Sequence, residues 1–141
     1  MMSARRAPTQ DAEHIRSAGE LMRRLGVARK VHLVDGMFST TDVSTGQRKR
    51  LALVHAWLED RPVVMFDEWA ADQDPEFRSV FYRELLPELK REGKTLIVVS
   101  HDDRYFDAAD RVIRMSAGRV VDEFVPPGKP KSSRSFMADL R

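Results

Sequence analysis

Two short, unbroken apolar runs decide what this chain can fold into. Val63-Val64-Met65-Phe66 follows the helix-breaking pair Arg61-Pro62, and Leu96-Ile97-Val98-Val99 comes soon after Gly93. Runs of this kind, without polar alternation, are read as strands covered on both faces. Between them Asp74-Pro75-Glu76 supplies an N-cap and a proline at the first helical position, and Phe77, Val80, Phe81, Leu85 and Leu89 recur at helical spacing. Pro87 is expected to kink or split that helix, and Gly93 to end it. Strand, helix and strand make a βαβ unit. Its right-handed crossover sets the strands parallel and opens both carboxyl ends on one edge of the sheet. Those ends carry Asp67-Glu68 and Ser100-His101-Asp102-Asp103. The predicted fold class is α/β.

A chain of 141 residues has room for one hydrophobic core of ordinary size. Ahead of the first run, Ile15, Leu21, Met22 and Leu25 recur at three- and four-residue steps, and Gly26 is placed to stop the helix they imply. Asp35-Gly36 and Ser39-Thr40-Thr41-Asp42 make a turn-rich joint, after which Leu51, Val54 and Leu58 mark a helix expected from Thr45 to Glu59. Beyond the βαβ unit, Val112–Met115 and Arg119–Glu123 read as two short strands around a turn at Ala117-Gly118. The prolines, lysines and serines from Pro126 onward predict disorder. The expected organisation is a helical subdomain portion and joint over 1–43, a helix and parallel core over 44–123, and a disordered tail over 124–141.

Composition removes several function classes. Charge is nearly balanced, 24 Lys+Arg against 22 Asp+Glu, so no net field argues for a nucleic-acid partner. The absence of cysteine excludes disulfide scaffolds, thiolate zinc sites and cysteine nucleophiles. Every apolar stretch falls far short of the roughly 18 to 20 residues that span a bilayer, and Met1–Arg6 lacks the apolar core of a signal peptide. Any link to a membrane is therefore expected to run through a partner, not through direct insertion.

In open α/β sheets ligands bind beyond the carboxyl ends of the strands. Asp67, directly after an apolar strand, suits a magnesium ion held through water, because a hard cation takes oxygen ligands on a rigid mount. Glu68 could orient or deprotonate a water attacking a phosphorus atom, and His101 could hydrogen-bond a terminal phosphate. Taken singly, an Asp-Glu pair also suits a solvated loop start and a histidine suits an ordinary surface. The joint arrangement carries the reading. A second signal is Ser44-Thr45-Gly46-Gln47, whose Ser44 and Gln47 have capping-box spacing, which stabilises a helix start by about 1 kcal/mol. Arg48-Lys49-Arg50 then puts three cations at the positive end of a helix, a conflict that an approaching phosphate would remove. Gly46 suits a close approach of ligand to backbone.

Ser44-Thr45-Gly46-Gln47, Val63 to Glu68, Asp74 and Ser100-His101-Asp102, in this order and at these spacings, resemble the C-terminal half of an ABC-type ATPase domain. The resemblance runs from roughly Glu20 to Glu123 and makes the first motif the signature, the second Walker B with its catalytic glutamate, the third the end of a D-loop spanning Ala71–Asp74, and the last the switch histidine. It implies ATP and Mg2+ as cofactors. Glu68 and His101 become catalytic, Asp67 a magnesium ligand, and Ser44, Thr45, Gly46, Gln47 and Asp74 nucleotide-binding residues. Finer features, Phe38–Asp42, Phe66–Pro75 and Ser100–Phe106, look like exporters of cyclic peptides and siderophores.

The departures are as informative. Thr45 stands where most signatures have glycine, and Trp69-Ala70-Ala71-Asp72-Gln73 replaces the commoner Ala-Thr-Ser-Ala-Leu. No segment satisfies the phosphate-cradling pattern of Gly, four residues, then Gly-Lys-Ser/Thr. Gly93-Lys94-Thr95 imitates its end, but position 88 is Glu and the tripeptide precedes a strand. The expectation is thus a partial P-loop NTPase domain, a helical subdomain plus parallel core without the P-loop strand and helix. It would act with a second ABC ATPase domain, head to tail, and a transmembrane exporter domain at the cytoplasmic side of a membrane. Alone it is expected to be inactive and to oligomerise through exposed apolar edges. A fragment of a non-transport ABC ATPase, or an inactive remnant serving as a binding module, are the alternatives.

Overall fold

The structure is a computed structural model that describes residues 8–35, 37–40, 42–129 and 136–140. The chain divides into two compact units, one ending at Asp60 and the other beginning at Arg61. The helix expected to belong with the parallel core packs instead in the first unit.

In the first unit, α1 (Pro8–Arg24) and α2 (Thr45–Glu59) pack on one another. Leu21, Met22, Leu25, Leu51, Leu53 and Val54 are buried, whereas Ile15 of the predicted apolar stripe is exposed. Gly26, with φ of 69°, ends the first helix as expected, and the Val27 N–H closes back on the Met22 carbonyl. The turn-rich joint contains a small hairpin, β1 (Leu33–Val34) against β2 (Met37–Phe38). Gly36 and Thr41 of that joint lie outside the described residues.

The second unit is built on a five-stranded sheet. Its strands are β3 (Val63–Asp67), β4 (Thr95–Ser100), β5 (Val112–Ser116), β6 (Arg119–Phe124) and β7 (Phe136–Leu140), in the spatial order β3-β4-β7-β5-β6. All neighbours run parallel except β6, which is antiparallel to β5 at the edge. The β5–β6 turn is the predicted one, with Ala117 and Gly118 both at positive φ. The predicted disordered tail is corrected here: Phe136–Leu140 is a strand inside the sheet, paired on both sides. Residues 130–135 of that tail lie outside the described residues.

The crossover from β3 to β4 is a helix in three parts: α3 (Pro75–Val80), a π turn (Phe81–Leu85) and α4 (Leu86–Arg91). Pro87 does split the helix, and the physical reason is visible. A proline has no N–H for the preceding turn and its ring crowds the carbonyl four residues back. The turn widens accordingly, and Leu86 N–H donates to the Phe81 carbonyl five residues back. Phe81, Tyr82, Leu85, Leu86 and Leu89 are buried, with Phe81 edge-on to Phe66 at 5.1 Å and stacked on Trp69 at 4.4 Å. That packing covers only one face of β3. Phe66 is buried, but Val63 and Met65, pointing the other way along the pleat, are 53% and 63% exposed. The expectation that this run is covered on both faces is therefore corrected.

Candidate functional site

The strands β3 and β4 pair in register from Val63–Thr95 to Asp67–Val99, so their carboxyl ends do open on one edge. Asp67 is exposed at the last position of β3. Glu68 follows in the left-handed region, φ of 50° and ψ of 33°, and its N–H is held by the Val99 carbonyl at 3.1 Å. A non-glycine residue held there turns the chain sharply. The turn brings Glu68 Oε1 to 3.0 Å from His101 Nε2. The two side chains remain 32% and 59% exposed, so the pair has room to open toward a ligand.

Behind this pair stand two residues that no sequence motif marks, Arg78 and Tyr82. Tyr82 and Ser100, both buried, share a hydrogen bond of 2.7 Å between their hydroxyl oxygens, and Ser100 Oγ also accepts from the Asp102 N–H at 3.1 Å. The shape of the turn after β4 is thus set from the π turn. Burial pushes the Tyr82 phenol above its ordinary pKa. Tyr82 also stacks on Tyr105, centroids 4.3 Å apart. Arg78 donates to the Ala70 carbonyl at 3.3 Å and to the Gln73 carbonyl at 3.2 Å, and reaches Asp102 at 3.6 Å. Arg104 forms two 2.7 Å hydrogen bonds to Asp102 and holds its carboxyl below the usual carboxylate range. Glu68, Ala70, Arg78, Tyr82, Ser100 and His101 line an open cavity of about 400 Å³.

Asp74 is away from that pair in role: its Oδ1 accepts from the Phe77 N–H at 3.0 Å and so caps α3. Trp69 is a packing anchor under Phe81. Gly93-Lys94-Thr95 closes α4 and opens β4, with Gly93 at φ of 84° and the Lys94 N–H on the Leu89 carbonyl.

In the first unit, Ser44 and Gln47 form the predicted capping box. Gln47 N–H donates to Ser44 Oγ at 3.3 Å, and Ser44 N–H donates to Gln47 Oε1 at 3.2 Å. The hydroxyl hydrogen of Ser44 is not used in this box, which leaves a donor for an anion. Thr45 is exposed and Gly46 half-buried. Of the three cations that follow, Arg50 donates to the Leu25 carbonyl at 3.0 Å, at the C-terminal end of α1.

In nucleotide sites a magnesium ion takes one or two carboxylates together with the phosphates, and an exposed Asp67 on a rigid strand end is a donor of that type. Among the described residues no helix is long and apolar enough to cross a membrane.

No protein-family model matches the chain. Over 100 residues it is 55% identical to ATP-binding protein SyrD of Pseudomonas syringae pv. syringae, which is 70% of this chain and 18% of SyrD. Over 126 residues it is 28% identical to glutamine transport ATP-binding protein GlnQ of Escherichia coli, covering 89% of this chain and 49% of GlnQ. Among solved structures, the dimeric MJ0796, a bacterial ABC transporter cassette, superposes with a TM-score of 0.67 at 21% identity, over 90% of this chain and 52% of that one. The ADP conformation of the cassette MJ1267 gives 0.58 at 22% identity, over 80% and 42%. The chain spans only part of each. Its homologues are ABC transporter ATP-binding proteins and its structural neighbours are ABC transporter cassettes, of which the chain covers only a C-terminal part.

Proposed function

We propose that this chain forms the C-terminal half of the ATP-hydrolysing cassette of a membrane exporter, with a cyclic peptide or siderophore as cargo. The observation that carries the ATPase reading is the contact of Glu68 with His101 at 3.0 Å, one residue beyond the exposed Asp67. The identity with the ATP-binding protein SyrD supports the ATPase reading, and the motif details support the exporter assignment.

In this reading Glu68 takes a proton from the attacking water, which a carboxylate does best when a second group fixes its orientation. His101 is that group. Its exposure lets the imidazole exchange the Glu68 carboxylate for a phosphate oxygen during turnover. Asp67 would hold magnesium through water, and the ion when bound neutralises charge on the phosphates. The α2 tip, Ser44 to Gln47, would meet the triphosphate held by a second cassette packed head to tail, with Ser44 Oγ and the Gly46 backbone nearest, and Asp74 would sit at that junction. A P-loop, which supplies most of the fixed positive field around phosphates, would come from polypeptide outside this chain. Attachment to a transmembrane exporter domain would place the assembly at the cytoplasmic face of a membrane.

The test uses the complex completed with a P-loop half and its membrane partner. Glu68→Gln should lower ATP turnover by about 10²-fold or more while ATP-driven closure persists. Turnover at the parent rate removes Glu68 as the base. Calorimetric titration of the 141-residue chain alone with magnesium-ATP should show no tight binding, and micromolar affinity would refute the half-site.

A further inference from the structure

We propose that Arg78 is a positioning residue for ATP hydrolysis: its guanidinium ties the segment after Glu68 to the turn that carries His101, so that the carboxylate and the imidazole are held at one separation. The proposal rests on the ATPase reading above. It starts from helical spacing. Residues four apart share a face of a helix. Arg78 of α3 and Tyr82 of the π turn are such a pair on the crossover from β3 to β4, and they reach residues on either side of His101. Tyr82 shares its 2.7 Å hydrogen bond with Ser100, and Arg78 Nη1 lies 3.6 Å from Asp102 Oδ2. One helix face therefore touches the turn both before and after the histidine.

Arg78 reaches the Glu68 side as well. Its Nε donates to the Ala70 carbonyl at 3.3 Å and its Nη2 to the Gln73 carbonyl at 3.2 Å, both in the short turn that leads away from Glu68. The Ala70 carbonyl already accepts from the Gln73 N–H at 3.1 Å. A further donor there is not needed to satisfy that oxygen, so the arginine fixes the orientation of the loop instead of rescuing a buried acceptor.

Three nitrogens of one planar fork thus meet three acceptors on two separate loops. An ammonium group cannot copy that geometry, although it carries the same charge. The Arg78 side chain is 24% exposed and that of Asp102 18%, so water screens this side of Asp102 less than the side facing Arg104, which is 67% exposed. Arg78 lines the same open cavity as Glu68 and His101. It needs no contact with nucleotide to matter. Proton transfer and phosphate contact require near-attack geometry, and a misplacement of about 1 Å costs up to about 10²-fold in rate.

The experiment compares Arg78→Lys and Arg78→Gln with the parent in the complex completed with a P-loop half and its membrane partner. Both should lower kcat by about 10-fold to 10²-fold, with the KM for ATP within about twofold. Lysine keeps the charge beside Asp102 and loses the fork, so its failure to rescue separates positioning from charge. Combining Arg78→Lys with Asp102→Asn should lower kcat no further than the larger single loss, because both residues act through one tie. In the full chain alone, Arg78→Lys should move the His101 ring resonances and the Ala71 amide together, while the Thr95 amide at the far end of β4 stays in place. Parent kcat in both variants, full rescue by lysine, or additive losses in the double variant overturns the proposal. So does a raised KM with kcat unchanged, which would make Arg78 a nucleotide-binding group. Should Arg78→Gln fail to fold, the lysine variant decides. If Glu68→Gln loses turnover while Arg78→Lys keeps it, the tie falls and the ATPase reading stands. If Glu68→Gln keeps turnover, the base assignment falls, and the tie is judged by the resonances: His101 or Ala71 moving without the other overturns it.

Discussion

The tip of α2 and the sheet edge that carries Glu68 and His101 hold their polar groups in opposite ways. At the tip, Ser44 and Gln47 close on each other across one helical turn. No other element is needed for that geometry. At the edge, Glu68 and His101 meet across the in-register ends of β3 and β4, beside a Ser100 that is hydrogen-bonded to Tyr82 of the π turn. The tip is a local property and should survive damage to the core. The edge is a property of the whole second unit and should not.

The largest effect expected on that contrast comes from Phe81, which is fully buried and touches Phe66, Trp69 and Tyr82. Phe81→Ala should destabilise the second unit by about 3–5 kcal/mol, the usual cost of deleting a buried aromatic ring. Urea unfolding measures it. The His101 ring resonances should move while the amide of Gln47 stays in place, and equal disturbance of both would break the contrast. Ser44→Ala is the converse experiment. Loss of the cap should cost about 1 kcal/mol and shift the Gln47 amide, with the His101 resonances unchanged.

These contrasts explain what could be read in advance. The ends of α2, the Asp74 cap and the Ala117-Gly118 turn are each encoded within a few residues, and all three stand where the pattern puts them. The parallel pairing of β3 and β4 followed from the handedness of the crossover. The π turn did not, because Pro87 announces a fault in the helix without saying which neighbour absorbs it. Strand β7 was hidden for a stronger reason. Its residues have no strand pattern, and only the gap between β4 and β5 makes them one. The Tyr82–Ser100 bond was likewise invisible, since the helical stripe does not include Tyr82 and no local pattern says what its hydroxyl meets. Val63 and Met65 show the limit of an apolar run: it predicts a strand, and the covering of each face depends on elements elsewhere.

Tyr82→Phe sharpens the edge further. Ser100 Oγ keeps the Asp102 N–H, and the lost hydrogen bond should cost about 0.5–1.5 kcal/mol. The Glu68–His101 contact should loosen more than this stability change suggests, detectable as broadened His101 resonances. Unchanged resonances would mean that the β-strand pairing alone sets the edge.

The smallest expected effect is electrostatic and belongs to the same turn. Arg104 bonds Asp102 and holds its carboxyl below the ordinary range, so the carboxylate form is favoured in the folded state. A group with a depressed folded pKa contributes stability that is fully present above its unfolded pKa, near 4, and is lost as pH falls through the lower folded value. The stability of the second unit should therefore decline as pH drops below about 4, and Asp102→Asn should flatten that acid limb. Arg104 is largely exposed and the pair is screened by salt, so the difference should shrink at high ionic strength. Urea midpoints taken between pH 3 and 6 at low and high salt measure it. If the Asn variant kept the same acid slope, Asp102 would not be the titrating group, and the turn that holds His101 would owe its shape to Ser100 and Tyr82 alone.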